Sequence, residues 1–446
     1  MIVVGAGPAG GMAARSAAAL GLRTLLVEEH PQVGTPAHCS GKLQLHAFRE
    51  FGLPSHLVTN TLQAGAFYAP SGAVVRVRRA VPDSYVVDRM LFDRWLAEDA
   101  AARGAELLVG TRVRAAERVN GTVRVVGERA GKAFAAAAPV IIDAEGARPI
   151  LPQMLGLPLP KAYVHGLQYQ MDRVDLEEED CPEIYLGADS APGFFAWMMP
   201  IGGRRARVGL CVDPRIAGRA PLYYLERLLA EHPQASRRFR RAVMERKLAG
   251  LIPILGPRRP TAADGLLVVG DAAGQVKATS GGGIYFSLIA GRLAAQAAGG
   301  YVGGDGMALR RYEREWRRRF GREIKVTAFA RVVLNRLTDG DLNRLIAAIS
   351  ADERLRRIIE ERGDTAFQSR LLGPLLAHAL APSRLPAMAG TLAKALRYGL
   401  VALWDDGAAA AQDSAVRADA EENVRFEGTD RTVRRAPSRG MGPGLR

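Results

Sequence analysis

The chain has 446 residues, 48% of them hydrophobic and 24% charged, with a formal net charge of +15. That balance excludes a mostly disordered, collagen-like or low-complexity chain, and at roughly 100–200 residues per domain the length predicts two to three domains. The charge is spread, with 35 basic and 27 acidic residues in 1–300 and 26 and 19 in 301–446; without zinc-finger spacing or an RRM signature, this argues against a nucleic-acid partner.

Ile2-Val3-Val4 predicts a short buried parallel strand that starts at the first residue, with no signal-like segment ahead of it. Gly5-Ala6-Gly7-Pro8-Ala9-Gly10 follows, then an Ala-rich helical stretch (11–20), a strand (24–27) and an acid, Glu28. Strand, GxGxxG, helix, strand, acid is a dinucleotide-binding order. Gly5 permits the tight turn, Gly7 lets the main chain approach a pyrophosphate, and Gly10 lets the helix pack on the sheet. Ala9 stands in the same turn, at a helix N-terminus whose N–H groups favour phosphate. Glu28 can accept both ribose hydroxyls.

Further along lie Pro36-Ala37-His38-Cys39-Ser40-Gly41, then Val87-Asp88-Arg89-Met90-Leu91-Phe92-Asp93, the strand-like Thr111-Arg112-Val113, and Asp143-Ala144-Glu145-Gly146. His38 and Lys42 are polar loop candidates for proton donation without a motif behind them. Strand-like runs at 163–171, 183–186, 194–199 and 207–212 predict an antiparallel sheet. Within it Phe195, Trp197 and Met199 alternate and so share one face. The apolar run 266–269 ends in Gly270-Asp271-Ala272-Ala273-Gly274. Thr279-Ser280-Gly281-Gly282-Gly283 then precedes a helix expected over 284–298. A carboxylate at a strand end can hold a sugar-like chain, and a second helix dipole would stabilise negative charge on a reduced flavin. A nicotinamide dinucleotide needs no such second station, whereas a flavin with its ribityl arm does.

The Gly270–Gly274 wording with its triple glycine resembles the glutathione-reductase-type FAD superfamily. Residues 270–284 are most similar to the geranylgeranyl reductases. The Cys39 segment looks like that family's Pro-x-x-Cys-x-Gly, 87–93 like its Arg-containing flavin-contact helix, and 195–200 like its Tyr-x-Trp-x-Phe-Pro strand. The resemblance covers about residues 1–340. It departs at Phe195 and Met199, where relatives carry Tyr and Phe, at Ser40-Gly41, where many read Gly-Glu-Gly, and at Glu145, where flavin hydroxylases carry an Asp-Gly pair.

The resemblance implies FAD, with Glu28 on the adenosine ribose, Arg89 on a pyrophosphate oxygen, the backbone of Val113 at adenine, and Asp271 on the ribityl chain. Gly282, Gly283 and Ile284 would lie at the ring. Cys39, Ser40 and Gly41 would lie between flavin and substrate, with Cys39 the candidate catalytic residue, although a free Cys is more often a small buried apolar residue. Phe195, Trp197 and Met199 would wall a channel for an isoprenoid chain. The implied activity is hydride transfer from reduced flavin to carbon–carbon double bonds of a geranylgeranyl-type lipid. The rival functions are an FAD-dependent monooxygenase and a non-enzymatic prenyl-lipid carrier. Cys39, Cys181 and Cys211 are too few for an iron–sulfur cluster or a four-cysteine metal site, so no metal is expected. No third GxGxxG follows a strand, so the reductant is expected to bind transiently, as NADPH, a ferredoxin or another carrier.

The expected fold is α/β. A discontinuous Rossmann-type FAD-binding domain takes 1–35, 85–150 and 250–300. An antiparallel substrate domain is inserted from 36–84 and 151–249, a helical region follows over 301–403, and 404–446 is a flexible tail. The scarce cysteines suit a reducing cytoplasm. The basic balance and the stripe of Leu371, Leu372, Leu375 and Leu376 suit peripheral contact with an anionic membrane.

Overall fold

A computed structural model of the chain describes residues 1–37, 39–256 and 260–371. His38, the remainder of the leucine stripe and the tail lie outside the described residues. Four sheets and a set of helices make up the described residues.

The nucleotide-binding part is a six-stranded sheet in the order Ala262–Ala263, Leu266–Val268, Ile141–Asp143, Ile2–Val4, Leu25–Val27, Glu106–Leu108. All neighbours are parallel except the first pair. Ile2–Val4, Ile141–Asp143 and Leu266–Val268 are buried throughout, as expected for strands covered on both faces. Register aligns Val4 with Val27 and with Asp143, and Asp143 with Val268. The segments that follow, starting at Gly5, Glu28, Ala144 and Val269, therefore leave at one carboxyl edge. In open α/β sheets that edge is where ligands bind.

The helix Pro8–Ala19 lies between two others, Arg89–Ala102 and Ile284–Val302. Its buried residues are glycines, alanines and Met12 for a steric reason. A Cβ on Gly291 would come 2.3 Å from the Ala9 carbonyl oxygen, and one on Gly11 2.8 Å from the Leu96 Cβ. Small residues let these helices approach backbone to backbone. An antiparallel meander, Thr111–Val119, Thr122–Arg129 and Lys132–Ala138, covers the sheet's far side.

The second part is a seven-stranded sheet ordered Val243–Ile254, Ala162–Asp172, Ala206–Val212, Ala196–Pro200, Glu183–Tyr185, Ala64–Tyr68, Val74–Arg78. It is antiparallel except for one pair, Glu183–Tyr185 with Ala64–Tyr68. The strand Val243–Ile254 runs across residue 250, and the strand expected from 194 begins at Ala196. A small sheet of Lys42–Gln44, Ser84–Val87 and Val58–Leu62 joins the two parts. Helices Ala308–Trp316 and Arg322–Leu334 are linked by the π-helical turn Arg317–Gly321, and Asp339–Ala351 and Glu353–Arg362 follow. The first is pinned by fully buried Trp316, whose indole N–H donates to the Thr261 hydroxyl at 2.9 Å.

Candidate functional site

The Gly5 turn has φ +96, and a Cβ there would meet the Ala144 carbonyl oxygen at 2.3 Å. A Cβ on Gly10 would lie 1.8 Å from the Gly5 carbonyl oxygen. Gly7 differs from both, with nothing within 4 Å of an added Cβ. Its smallness serves no protein contact, and the space beside it is open to a ligand. Gly7 caps the helix Pro8–Ala19 without any side-chain hydrogen bond, and Pro8 fills the first position, so the first-turn N–H groups are on offer. Buried Glu28 is held by the N–H groups of Ala6 (2.8 Å) and His30 (3.0 Å). His30 also sets Nδ1 2.6 Å from the same carboxylate.

On the same edge, Asp271 sits in a 3-10 turn after Leu266–Val268. Burial pushes its carboxyl up to about 6, against the pull of the Arg89 guanidinium. No described residue donates a hydrogen bond to it. Gly283, whose Cβ would stand 3.2 Å from Asp271 Oδ1, starts the helix Ile284–Val302, again without a side-chain cap. Two uncapped helix N-termini, an open glycine, an anchored acid and a partnerless acid lie along one crevice. They match the pyrophosphate, ribose, ribityl and ring of an FAD, and so the residues present fit that cofactor.

Other expected residues fall in various places. Arg89 forks onto buried Asp93, with Nε to Oδ1 at 2.9 Å and a terminal nitrogen to Oδ2 at 2.7 Å. Burial opposes the charge, but Asp93 and neighbouring Cys39 hold the guanidinium above its ordinary pKa. Val113 lies in the edge strand of the meander with its side chain in the core, which leaves its backbone as the group to offer. Cys39 is half-buried, its sulfur accepting from Gly41 N–H at 3.3 Å. Gly41 has φ +84 and abuts Val87, where a Cβ would be 2.3 Å from the carbonyl oxygen. Lys42 lines a recess with Gln44, Lys277 and residues 282–286, and lies 3.6 Å from Asp83. Burial lowers both lysines, Lys277 to about 8.

Just ahead of the strand Ala196–Pro200, Phe195 stacks on Phe194 at 4.6 Å and meets Trp197 edge-on at 5.9 Å. A Cβ on Gly281 would come 3.7 Å from Phe194 and 3.0 Å from Ile252, so Phe194 brings this aromatic cluster against the first of the three glycines. Met199 is 5% exposed among Leu62, Val86 and Ile201, a cluster against which Trp197 also packs.

Three connecting residues were missed by sequence reasoning. Gln168 donates to the Cys39 carbonyl at 3.3 Å and accepts from the Trp197 indole at 3.1 Å. Buried Arg207, whose pKa burial lowers, donates to the carbonyls of Ser40 (2.8 Å) and Val87 (3.2 Å). Arg331 donates to Ala278, Thr279 and Gly193 carbonyls and lies 4.2 Å over the Phe194 ring. A polar residue interrupting an apolar strand was the available signal for Gln168 and Arg207.

The fold and this crevice define an FAD-binding flavoprotein. Residues 1–289 match the FAD binding domain family. The digeranylgeranylglycerophospholipid reductase of Methanocaldococcus jannaschii is 33% identical over 357 residues, covering 78% of this chain and 90% of that one. A reductase of the same name, numbered 2, from Methanothermobacter thermautotrophicus is 34% identical over 369 residues, covering 79% and 92%. The crystal structure of a geranylgeranyl bacteriochlorophyll reductase-like protein from Thermoplasma acidophilum superposes with a TM-score of 0.76 at 26% identity, covering 87% of this chain and 98% of that one. The chain belongs to the digeranylgeranylglycerophospholipid reductase family of FAD-binding proteins.

Proposed function

We propose that this chain is an FAD-dependent reductase that saturates carbon–carbon double bonds of a prenyl lipid. The substrate class is the digeranylgeranyl glycerophospholipid in the relatives' names. The observation that carries this reading is the aromatic cluster of Phe194, Phe195 and Trp197, which Phe194 brings against Gly281 of the glycine loop. An isoprenoid chain needs an apolar wall of that kind beside the flavin.

In this reading Gly5, Gly7, Ala9 and Gly10 receive the pyrophosphate, Glu28 the adenosine ribose, the Val113 backbone the adenine, and Asp271 the ribityl hydroxyls. Arg89 turns to a pyrophosphate oxygen the nitrogen that Asp93 does not hold. Gly282, Gly283 and Ile284 meet the ring, whose negative charge the helix dipole favours. Bound and reduced, FAD supplies the hydride chemistry. The chain's own share is to hold the double bond and exclude water. Phe195 and Trp197 form the wall, Met199 backs it from the core, and Cys39, Ser40 and Gly41 form the opposite lip.

The electron donor is a transient partner, namely NADPH, a ferredoxin or another carrier. No helix among the described residues is long and apolar enough to cross a membrane, and the net charge of +15 supports peripheral contact with anionic lipid. The test is anaerobic: flavin reduced in the purified protein should be reoxidised by an unsaturated prenyl glycerophospholipid. No anaerobic reoxidation by the lipid, but a hydroxylated lipid once oxygen is admitted, would instead mark a monooxygenase.

A further inference from the structure

Neighbouring strands of a sheet lie about 4.8 Å apart, so side chains two strands away from each other in one row are separated by about 10 Å at the backbone. They do not ordinarily touch. In the substrate sheet Gln168 pairs in register with Gly209, and Gly209 pairs with Trp197. The middle position of this row has no side chain, and the space is taken from both sides. A Cβ on Gly209 would stand 2.7 Å from the Leu167 carbonyl oxygen, 2.8 Å from Trp197 Cζ2 and 2.9 Å from the Gln168 Cβ. The glycine is the seat in which the two long side chains meet.

Both ends of the Gln168 amide are then committed. Its oxygen accepts the indole N–H at 3.1 Å, and its nitrogen donates to the Cys39 carbonyl at 3.3 Å. Gln168 is itself 5% exposed. A buried primary amide is costly unless satisfied, and here it is satisfied by one group on the aromatic wall and one on the flavin-side loop. The neighbouring tie from Arg207 falls on Ser40, so this loop is held at successive carbonyls by two strands of the same sheet.

We propose that Gln168 is a positioning residue that fixes the Cys39 loop against Trp197 and thereby sets the gap in which the prenyl chain is reduced. This rests on the reductase reading for its purpose, but the mechanical link can be tested without turnover. Cys181 and Cys211 are buried, 3% and 1% exposed, whereas Cys39 is half-buried. Maleimide labelling of the full-length protein therefore reads the Cys39 loop.

Gln168→Glu, labelled at a pH where the carboxyl is ionised, keeps the acceptor for Trp197 and removes the donor to Cys39. Gln168→Met removes both, and Gly209→Ala fills the seat, its methyl also pressing on the Leu167 carbonyl oxygen at 2.7 Å. Each is expected to speed Cys39 labelling about fivefold or more, the worth of one net hydrogen bond. Trp197→Phe, which spares the Cys39 bond but frees the other end of the amide, should speed labelling by less than Gln168→Met does. Combined with Gln168→Met, it should add nothing further. Should Gln168→Met or Gly209→Ala fail to fold, Gln168→Glu carries the test alone. Folded Gln168→Glu protein labelled at the wild-type rate would overturn the proposal. Faster labelling in a protein that saturates no prenyl lipid would uphold the link and refute the reductase reading.

Discussion

Asp271→Asn should change apoprotein stability and FAD affinity in opposite directions. In the folded chain the carboxyl is pushed up to about 6 from an ordinary 3.8 by burial, with no described donor satisfying it. A raised carboxyl pKa means that the folded state binds the proton more tightly than the unfolded one. The associated stability is present below about pH 4 and is lost as pH rises through about 6. The gap corresponds to at most about 3 kcal/mol, and to less where water reaches the carboxylate. Asparagine never ionises, so the apoprotein variant should be more stable than wild type at pH 8 by up to that amount, and the two should converge near pH 4. Charge-assisted hydrogen bonds to ribityl hydroxyls are worth about 1.5–3 kcal/mol, so FAD should bind the variant roughly 10–150-fold more weakly. Denaturant unfolding of apoprotein at pH 4, 6 and 8, with flavin fluorescence titration, measures both. Loss of apoprotein stability at pH 8, or unchanged FAD affinity, would refute the assignment of Asp271 to a bound flavin.

Gly7→Ala should leave apoprotein stability within about 0.5 kcal/mol, because its added methyl meets nothing, yet weaken FAD at least tenfold by blocking the pyrophosphate. Gly10→Ala, with a Cβ 1.8 Å from a carbonyl oxygen, should lower the yield of folded protein; both are read by unfolding and FAD titration. Arg331→Met strands the carbonyls of Ala278, Thr279 and Gly193 and should cost about 3 kcal/mol or more in denaturant unfolding. Lys277, lowered to about 8 from 10.5 by burial, binds its proton more tightly in the unfolded chain. Stability should therefore rise by at most about 3 kcal/mol between pH 8 and 10.5, and Lys277→Met should abolish that rise.

Local chemistry made much of this molecule legible. The strand Ile2–Val4, the glycine turn, the helix Pro8–Ala19 and Glu28 follow in order because each needs only its neighbours in sequence. The meander after Thr111 was only half legible. Its first hairpin turns on Asn120-Gly121, both at positive φ, a strong turn signal. Its second turns on Ala130-Gly131, with Ala130 at φ +49, which no propensity announces. The strand Val243–Ile254 was hidden by the exposed, charged character of its first half. Met199 shows the limit of alternation. Period two puts it on the face of Trp197, but only the third dimension shows Leu62 and Val86 closing over it. Gln168, Gly209 and Trp197 are distant in sequence, and their meeting is a property of sheet register.

Saturation of a prenyl double bond on this chain would leave its record in the mass of the lipid. Lipids from cells that make both an unsaturated prenyl glycerophospholipid and this protein can be weighed by mass spectrometry. Wild-type chain should add about two mass units for each double bond reduced, the hydride and proton of the flavin step, and Asp271→Asn should add fewer. Unchanged lipid masses in the presence of flavin-loaded wild-type protein and a strong reductant would contradict the account.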